Sequence, residues 1–448
     1  MKKLIKALTA SFLFIANTHA SLLNDLPEIN YESFTLDNGL TVVVHEDRKV
    51  PMVAVNVWYH VGSKNEKVGK TGFAHLFEHL MFNGTENYNS EYFEPFEKIG
   101  STDQNGTTNS DRTNYFQNVP TNAVDLALWM ESDRMGHLLG VVDQEKLDEQ
   151  RGVVQNEKRQ GENQPYGKAF TRISEAAFPK GHPYSWTTIG SMEDLDAASL
   201  EDVQEWFKTY YGPNNAVLAL AGDIDLETAR EKVKKYFGDI PAGPPLIKPD
   251  VWIAKRSEEK RDIMYDNVPQ ARIYKAWNVP PRDTEAAAHF DLASSVLVGG
   301  KNSPLFKELV YEKQIATSVS AFYYDREIAG MFIVVVDVVS GQEPKIVEKE
   351  MDAVLQTFIQ KGPNKKLLEA EKTKTLASFI RGTQRIGGFG GKSDLLATCQ
   401  TYTGNPGCYI NNARYIDEST PAKIKSTFTK WIDDTPYVLT ILPSEKLA

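Results

Sequence analysis

Two imidazoles and one carboxylate stand within five residues at His75-Leu76-Phe77-Glu78-His79. On a helix, positions i and i+4 share a face, so His75 and His79 can hold one metal ion between them. Glu78 projects from the same turn, close enough to take a proton from a water beside that metal. The order H-x-x-E-H inverts the H-E-x-x-H zinc helix, and the chemistry it offers is metal-assisted hydrolysis. An amphipathic helix with surface histidines is the plainer reading of these five residues, and the flanks argue against it. Phe73, Ala74, Leu76, Phe77, Leu80, Met81 and Phe82 give the segment a broad apolar surface, and Asn83-Gly84 is a helix stop. A helix this apolar is largely buried. Two histidines and a glutamate then need partners, and a cation supplies them.

The elements that must position this helix are legible as an internal duplication. A strand-like stretch at 53–59 precedes the motif helix, and another at 271–277 precedes an apolar helix ending at Gly299-Gly300-Lys301. After each comes a helix bearing aromatic residues, Tyr92-Phe93 in one half and Leu305-Phe306 in the other. Both halves close alike, with aromatic residues at 206–207 leading to a strand at 216–221, and at 428–431 leading to one at 437–442. With Gly84 set on Gly300, the second copy has Asp291, Ser294 and Ser295 in place of His75, Glu78 and His79, so only the first half can bind metal this way. Between the halves runs Ile240-Pro241-Ala242-Gly243-Pro244-Pro245, a proline-rich linker. The expected fold is α+β: two homologous domains, each a mostly antiparallel sheet with helices packed on one face. Residues 21–239 form the metal-binding domain, 240–262 the linker and 263–448 the domain without the motif.

Composition bounds the function. The 448 residues are 41% hydrophobic and 25% charged, as in globular proteins with room for two domains. A formal net charge of −10 argues against nucleic acid as a partner. No internal run is long enough to span a bilayer. Lys2, Lys3 and Lys6, a short apolar stretch at 7–16 and Thr18-His19-Ala20 read together as a secretory signal over residues 1–20. The chain is then periplasmic or secreted, with no stable membrane insertion after cleavage; an uncleaved anchor is the rival. Cys399 and Cys408 flank a turn-rich stretch. They either pair in an oxidising compartment or remain two buried thiols, and their spacing is not a zinc pattern.

These motifs together resemble the pitrilysin/insulinase family of zinc metallopeptidases, and the chain is most similar to its short two-domain members, which include the mitochondrial processing peptidase. The resemblance is also carried by Asn83-Gly84-Thr85, Pro213-Asn214-Asn215-Ala216-Val217 and Ala221-Gly222-Asp223, and it covers nearly the whole chain after residue 20. It implies an endopeptidase with one Zn²⁺ per chain. The family takes a third ligand from a stretch of the form R-x-V-V-x-x-E, about 75–80 residues downstream. Here that stretch is Arg151-Gly152-Val153-Val154-Gln155-Asn156-Glu157, which nominates Glu157, with Glu149 as the fallback. His75, His79 and Glu157 would hold the zinc and leave a place for water, and Glu78 would take that water's proton and pass it to the leaving amine. Gln150 stands where the family often has a glutamate behind the ligands, so it brings a hydrogen bond and no charge.

The resemblance extends to the substrate. Family members add a peptide as a strand to an exposed sheet edge. The corresponding segment holds Asn105, Gly106 (where alanine is usual) and Tyr115. Read without the family, Asn105-Gly106 is simply a turn. Full-length active members carry an arginine and a tyrosine in the half without zinc, and here Val310 and Thr317 stand at those positions. The missing pair implies that a related subunit without the zinc motif completes the enzyme as a heterodimer; a homodimer is the runner-up. The alternative function is a zinc-binding structural or assembly subunit with little activity of its own. Gly387-Gly388-Phe389-Gly390-Gly391 reads as a flexible loop and not a phosphate loop, since no strand precedes it.

Overall fold

The computed structural model describes residues 26–432 and 435–444, so the expected signal segment lies outside the described residues. In the first half, β1 (Glu32–Thr35), β2 (Thr41–Glu46), β3 (Met52–Tyr59), β4 (Thr102–Thr108), β5 (Thr113–Pro120) and β6 (Ala216–Gly222) form one sheet in the order β1-β2-β6-β3-β5-β4. In the second, β7 (Lys260–Asp266), β8 (Arg272–Val279), β9 (Ala316–Tyr324), β10 (Gly330–Val338) and β11 (Tyr437–Pro443) follow the order β7-β11-β8-β10-β9. The β2–β6 and β7–β11 pairs are parallel, and the other pairings are antiparallel. Laid on one another, the two orders agree strand for strand, with β1 an addition to the first. The duplication is therefore a repeat of topology. β7 begins at Lys260, so the last residues of the expected 240–262 linker pair in the second sheet. The start of the linker is held by Asn214, whose Oδ1 accepts from Gly243 N at 2.7 Å and whose Nδ2 donates to Gly243 O at 3.1 Å.

Helices of its own half cover one face of each sheet, as expected. The other face is covered as well, and by the opposite half. The Ala169–Ala177 helix of the first half packs on β8 and β11, and the Lys392–Thr403 helix of the second packs on β2, β3 and β6. The strands explain this exchange, because side chains alternate along a strand and here both sets are apolar. In β3, Val53, Val55, Val57 and Tyr59 face the helices of the first half, while Trp58 joins Leu396 and Ala397 on the far side.

Cys399 and Cys408 are joined by a disulfide that ties the end of the Lys392–Thr403 helix to the start of the next one. A bridge nine residues apart removes loop entropy from the unfolded chain worth about 2–3 kcal/mol. Reduction is expected to add two hydrogens per chain by mass and to lower Tm. Alkylation of two thiols before any reductant is added would show that the bridge does not form.

A buried ionic cluster also joins the halves. Lys64 Nζ pairs with the Glu327 carboxylate and donates to Asp111 O at 3.0 Å, and His60 Nε2 lies 2.7 Å from Glu327 Oε2. Asp111 in turn accepts from Glu327 N at 3.0 Å and from Tyr184 OH at 2.5 Å. The Lys64 side chain is 2% exposed. His60, Lys64, Asp111 and Tyr184 belong to the first half, and Glu327 to the turn between β9 and β10.

Candidate metal centre

The motif residues lie on a short helix, Phe73–Leu80, whose Phe73, Ala74, Leu76, Phe77 and Leu80 are buried in the first core. His75 and His79 point away from that core, one turn apart. Asn83-Gly84 ends the element as expected. Gly84 has φ +88°, and a Cβ there would lie 2.9 Å from Asn89 Cα, so the turn requires glycine. A longer helix, Gln144–Glu162, starts on Asp143, whose side chain accepts from Lys146 N. Leu147, Gln150, Val154 and Lys158 form its buried stripe. Glu157, beside that stripe, faces the two histidines. Lys146 Nζ donates to Asn83 O at 2.8 Å, and Arg151 donates to Leu195 O and Ala198 O at 2.9 and 2.6 Å, so this helix is tied down at several points.

The resulting geometry is compact. His75 Nε2 and His79 Nε2 are 3.3 Å apart, and Glu157 Oε2 is 3.6 Å from the first and 3.7 Å from the second. Ligand atoms about 2.0–2.1 Å from a tetrahedral zinc lie about 3.4 Å from one another, so the triangle has the size of three corners of such a site. Two imidazoles and a carboxylate are also a donor set that zinc favours. Burial, reinforced by His79, pushes the His75 imidazole down to about 4, which leaves it neutral and able to donate a lone pair. His75 Nδ1 is buried without a hydrogen-bond partner among the described residues, so the ring is oriented by its backbone and packing. Glu78 is 9% exposed. Burial raises its carboxyl, and the Thr108 hydroxyl and the Arg112 charge draw it part of the way back.

Several sequence expectations change here. Glu157 completes the triangle, whereas Glu149 is solvent-exposed and outside it. Gln150 is buried two turns before Glu157 on the same helix. Asn105-Gly106 is no turn: both residues lie inside β4, the edge strand of the first sheet, and Gly106 pairs with Tyr115 of β5. Asn105 is exposed, while a Cβ on Gly106 would lie 2.5 Å from the Phe82 ring, which explains glycine where the family has alanine. Tyr115 is corrected as a substrate contact. Its side chain is fully buried, with the Arg134 guanidinium 4.0 Å from the ring centre, so a peptide on the edge cannot reach it. The glycine-rich segment is a packed loop, since Phe389 meets Phe116 edge-on at 5.0 Å and Gly387 lies too close to Asn118 for any side chain.

Thr317 is exposed at the start of β9, and Val310 is half-buried in the π-helical stretch Phe306–Glu312. In the second half, Ser294 Oγ bonds Phe290 O and Asp291 O of its own helix. Sequence reasoning missed Thr108 and Arg112, which border Glu78. Arg112 Nη1 donates to Thr107 O at 2.8 Å, so the same side chain braces the edge strand. Neither has a spacing signal, because the β4–β5 hairpin brings them to the helix through space.

Residues 41–189 match the family described as insulinase (peptidase family M16), and residues 197–375 match the peptidase M16 inactive domain. Zinc protease PqqE of Helicobacter pylori is 29% identical over 357 residues, covering 78% of this chain and 79% of that protein. The mitochondrial-processing peptidase subunit beta of Saccharomyces cerevisiae is 27% identical, covering 67% of each. Among solved structures, a protease from Helicobacter pylori matches with a TM-score of 0.84 at 26% identity, over 93% of this chain and all of that one. The periplasmic protease PqqL of Escherichia coli shares the fold at 17% identity and a TM-score of 0.73, over 94% of this chain but 48% of that one.

Proposed function

The chain belongs to the pitrilysin/insulinase (M16) family of two-domain zinc peptidases, and on that premise we propose that it is an endopeptidase that cleaves extended peptides outside the cytoplasm. The reading rests on one observation: His75, His79 and Glu157 converge in a triangle 3.3–3.7 Å on a side, with Glu78 beside it. These three residues would hold the zinc. When bound, zinc supplies a Lewis acid that lowers the pKa of water and polarises a carbonyl. Glu78 accepts the proton of the attacking water and hands it to the leaving amine, and its burial, which favours the protonated form, suits the second half of that task. The peptide adds to the open edge of β4 beside Asn105, where strand hydrogen bonds bind an extended chain whatever its sequence.

A secretory signal at residues 1–20 and the Cys399–Cys408 bridge support a periplasmic or secreted location. The proposal includes a related second subunit, because Val310 and Thr317 stand where active members carry arginine and tyrosine. PqqL, about twice as long, spans two such lengths in one chain. The same two residues favour the second reading, a zinc-binding subunit with little activity of its own.

Cleavage of a quenched fluorescent peptide mixture by the zinc-loaded chain tests both. Activity that disappears with a chelator and returns with zinc is the expected result. Stoichiometric zinc without cleavage, alone or with added related subunits, would leave only the structural reading.

A further inference from the structure

The motif helix has only eight residues, and its N-cap, Gly72, has no side chain with which to cap it. An isolated helix of this length is marginal, and its first amides need acceptors from elsewhere. Glu66 supplies them. Its side chain reaches the start of the helix from the preceding turn, Oε1 accepting from Ala74 N at 2.8 Å and Oε2 from Gly72 N at 3.2 Å. The residue is 6% exposed and is held in place by Trp186, which also donates to Ser63 O at 3.0 Å.

The opposite side of the same turn is walled by backbone. Gly72, at φ +86°, lies so close to Gly190 that a Cβ on Gly190 would come within 2.2 Å of Gly72 N. Thr71 is fixed from N and Oγ1 to Asp194 Oδ2 at 2.8 and 2.6 Å. His75 follows directly on the amide that Glu66 holds, and its own Nδ1 has no hydrogen-bond partner among the described residues. Fraying of the first turn would therefore move His75 and leave Glu78 and His79, one turn further on, where they are.

We infer that Glu66 is a positioning residue for the metal centre: by capping the first turn of the motif helix it sets the place of His75 relative to His79 and Glu157. The inference rests on the zinc reading above.

The test is zinc affinity, measured by chelator competition on the full chain, together with the visible spectrum of the cobalt(II)-substituted protein. Glu66→Ala is expected to weaken zinc by about 10–100-fold and to change the cobalt spectrum. Glu66→Gln keeps one acceptor and turns the other into a donor facing an amide, so it is expected to lose less. A merely structural role would lower Tm equally with and without zinc. Positioning instead shrinks the rise in Tm that zinc produces. Zinc affinity within about twofold of the parent in the folded variants, with an unchanged cobalt spectrum, would overturn the inference. Should Glu66→Ala not fold, Glu66→Gln carries the same test. A parent chain that binds no zinc would instead sink the functional reading itself.

Discussion

Glu78→Gln is expected to bind zinc as the parent chain does and to lose about 10²- to 10⁴-fold in kcat. The expectation follows from where the carboxylate stands. It lies outside the ligand triangle of His75, His79 and Glu157, so its charge is not needed to hold the metal. It is buried against Thr108 and near Arg112, and an amide of the same shape keeps the packing and can still hydrogen-bond the Thr108 hydroxyl. What the amide cannot do is accept a proton. His79→Ala removes a corner of the triangle instead, and is expected to lose the metal along with the activity. Metal content by atomic emission, beside single-turnover cleavage, separates the two. Substantial cleavage by zinc-loaded Glu78→Gln would mean that another group takes the proton, and the assignment would fall.

The parts of this site that obey a local period are the parts that sequence reasoning reached. His75, Glu78 and His79 lie within one turn of one helix, so spacing alone shows them on adjoining faces. Glu157 lies on a separate helix, and no periodicity relates residue 157 to residue 75; it was reached through resemblance. Glu66 is only nine residues before His75, yet it acts across a turn closed by Gly72 and Gly190, and nothing in the spacing announces a cap delivered from outside the helix. Strand runs such as 53–59 and 216–221 were legible because central strands buried on both faces are continuously apolar. That same continuity was the sign that each sheet has two covered faces. It could not say that the covering helix comes from the other half, because that depends on contacts between segments hundreds of residues apart. Asn105-Gly106 was misread for a related reason: a dipeptide favouring turns is held extended by its pairing with β5 and by the Phe82 ring beneath it.

Glu327→Ala is expected to destabilise the chain by about 3–5 kcal/mol, because it leaves the Lys64 ammonium buried with one counter-charge fewer. In a chain of 448 residues that corresponds to a fall in Tm of about 3–5 °C. Lys64→Met in the same chain removes the stranded charge and is expected to recover part of the loss, the remainder being the cavity that Glu327→Ala leaves. The acid dependence has a definite sign. Burial by itself would raise the Glu327 carboxyl, but the His60 hydrogen bond and the Lys64 charge outweigh it and bring it down from 4.5 to about 2. A carboxyl depressed in the folded state stabilises fully above its unfolded pKa, and that contribution, about 3 kcal/mol, is lost as pH falls from 4.5 through about 2. The stability gap between the parent and Glu327→Ala should therefore be widest above pH 5 and close toward pH 2. Denaturant unfolding of both chains across that range measures it, and a gap that stays constant would show that the cluster does not carry this energy. Lys64 lies two residues before Glu66 and Asp111 directly before Arg112, so this joint between the halves also anchors the turn that caps the motif helix and the β4–β5 hairpin. Loosening it is expected to lower the affinity for zinc as well as the stability of the fold.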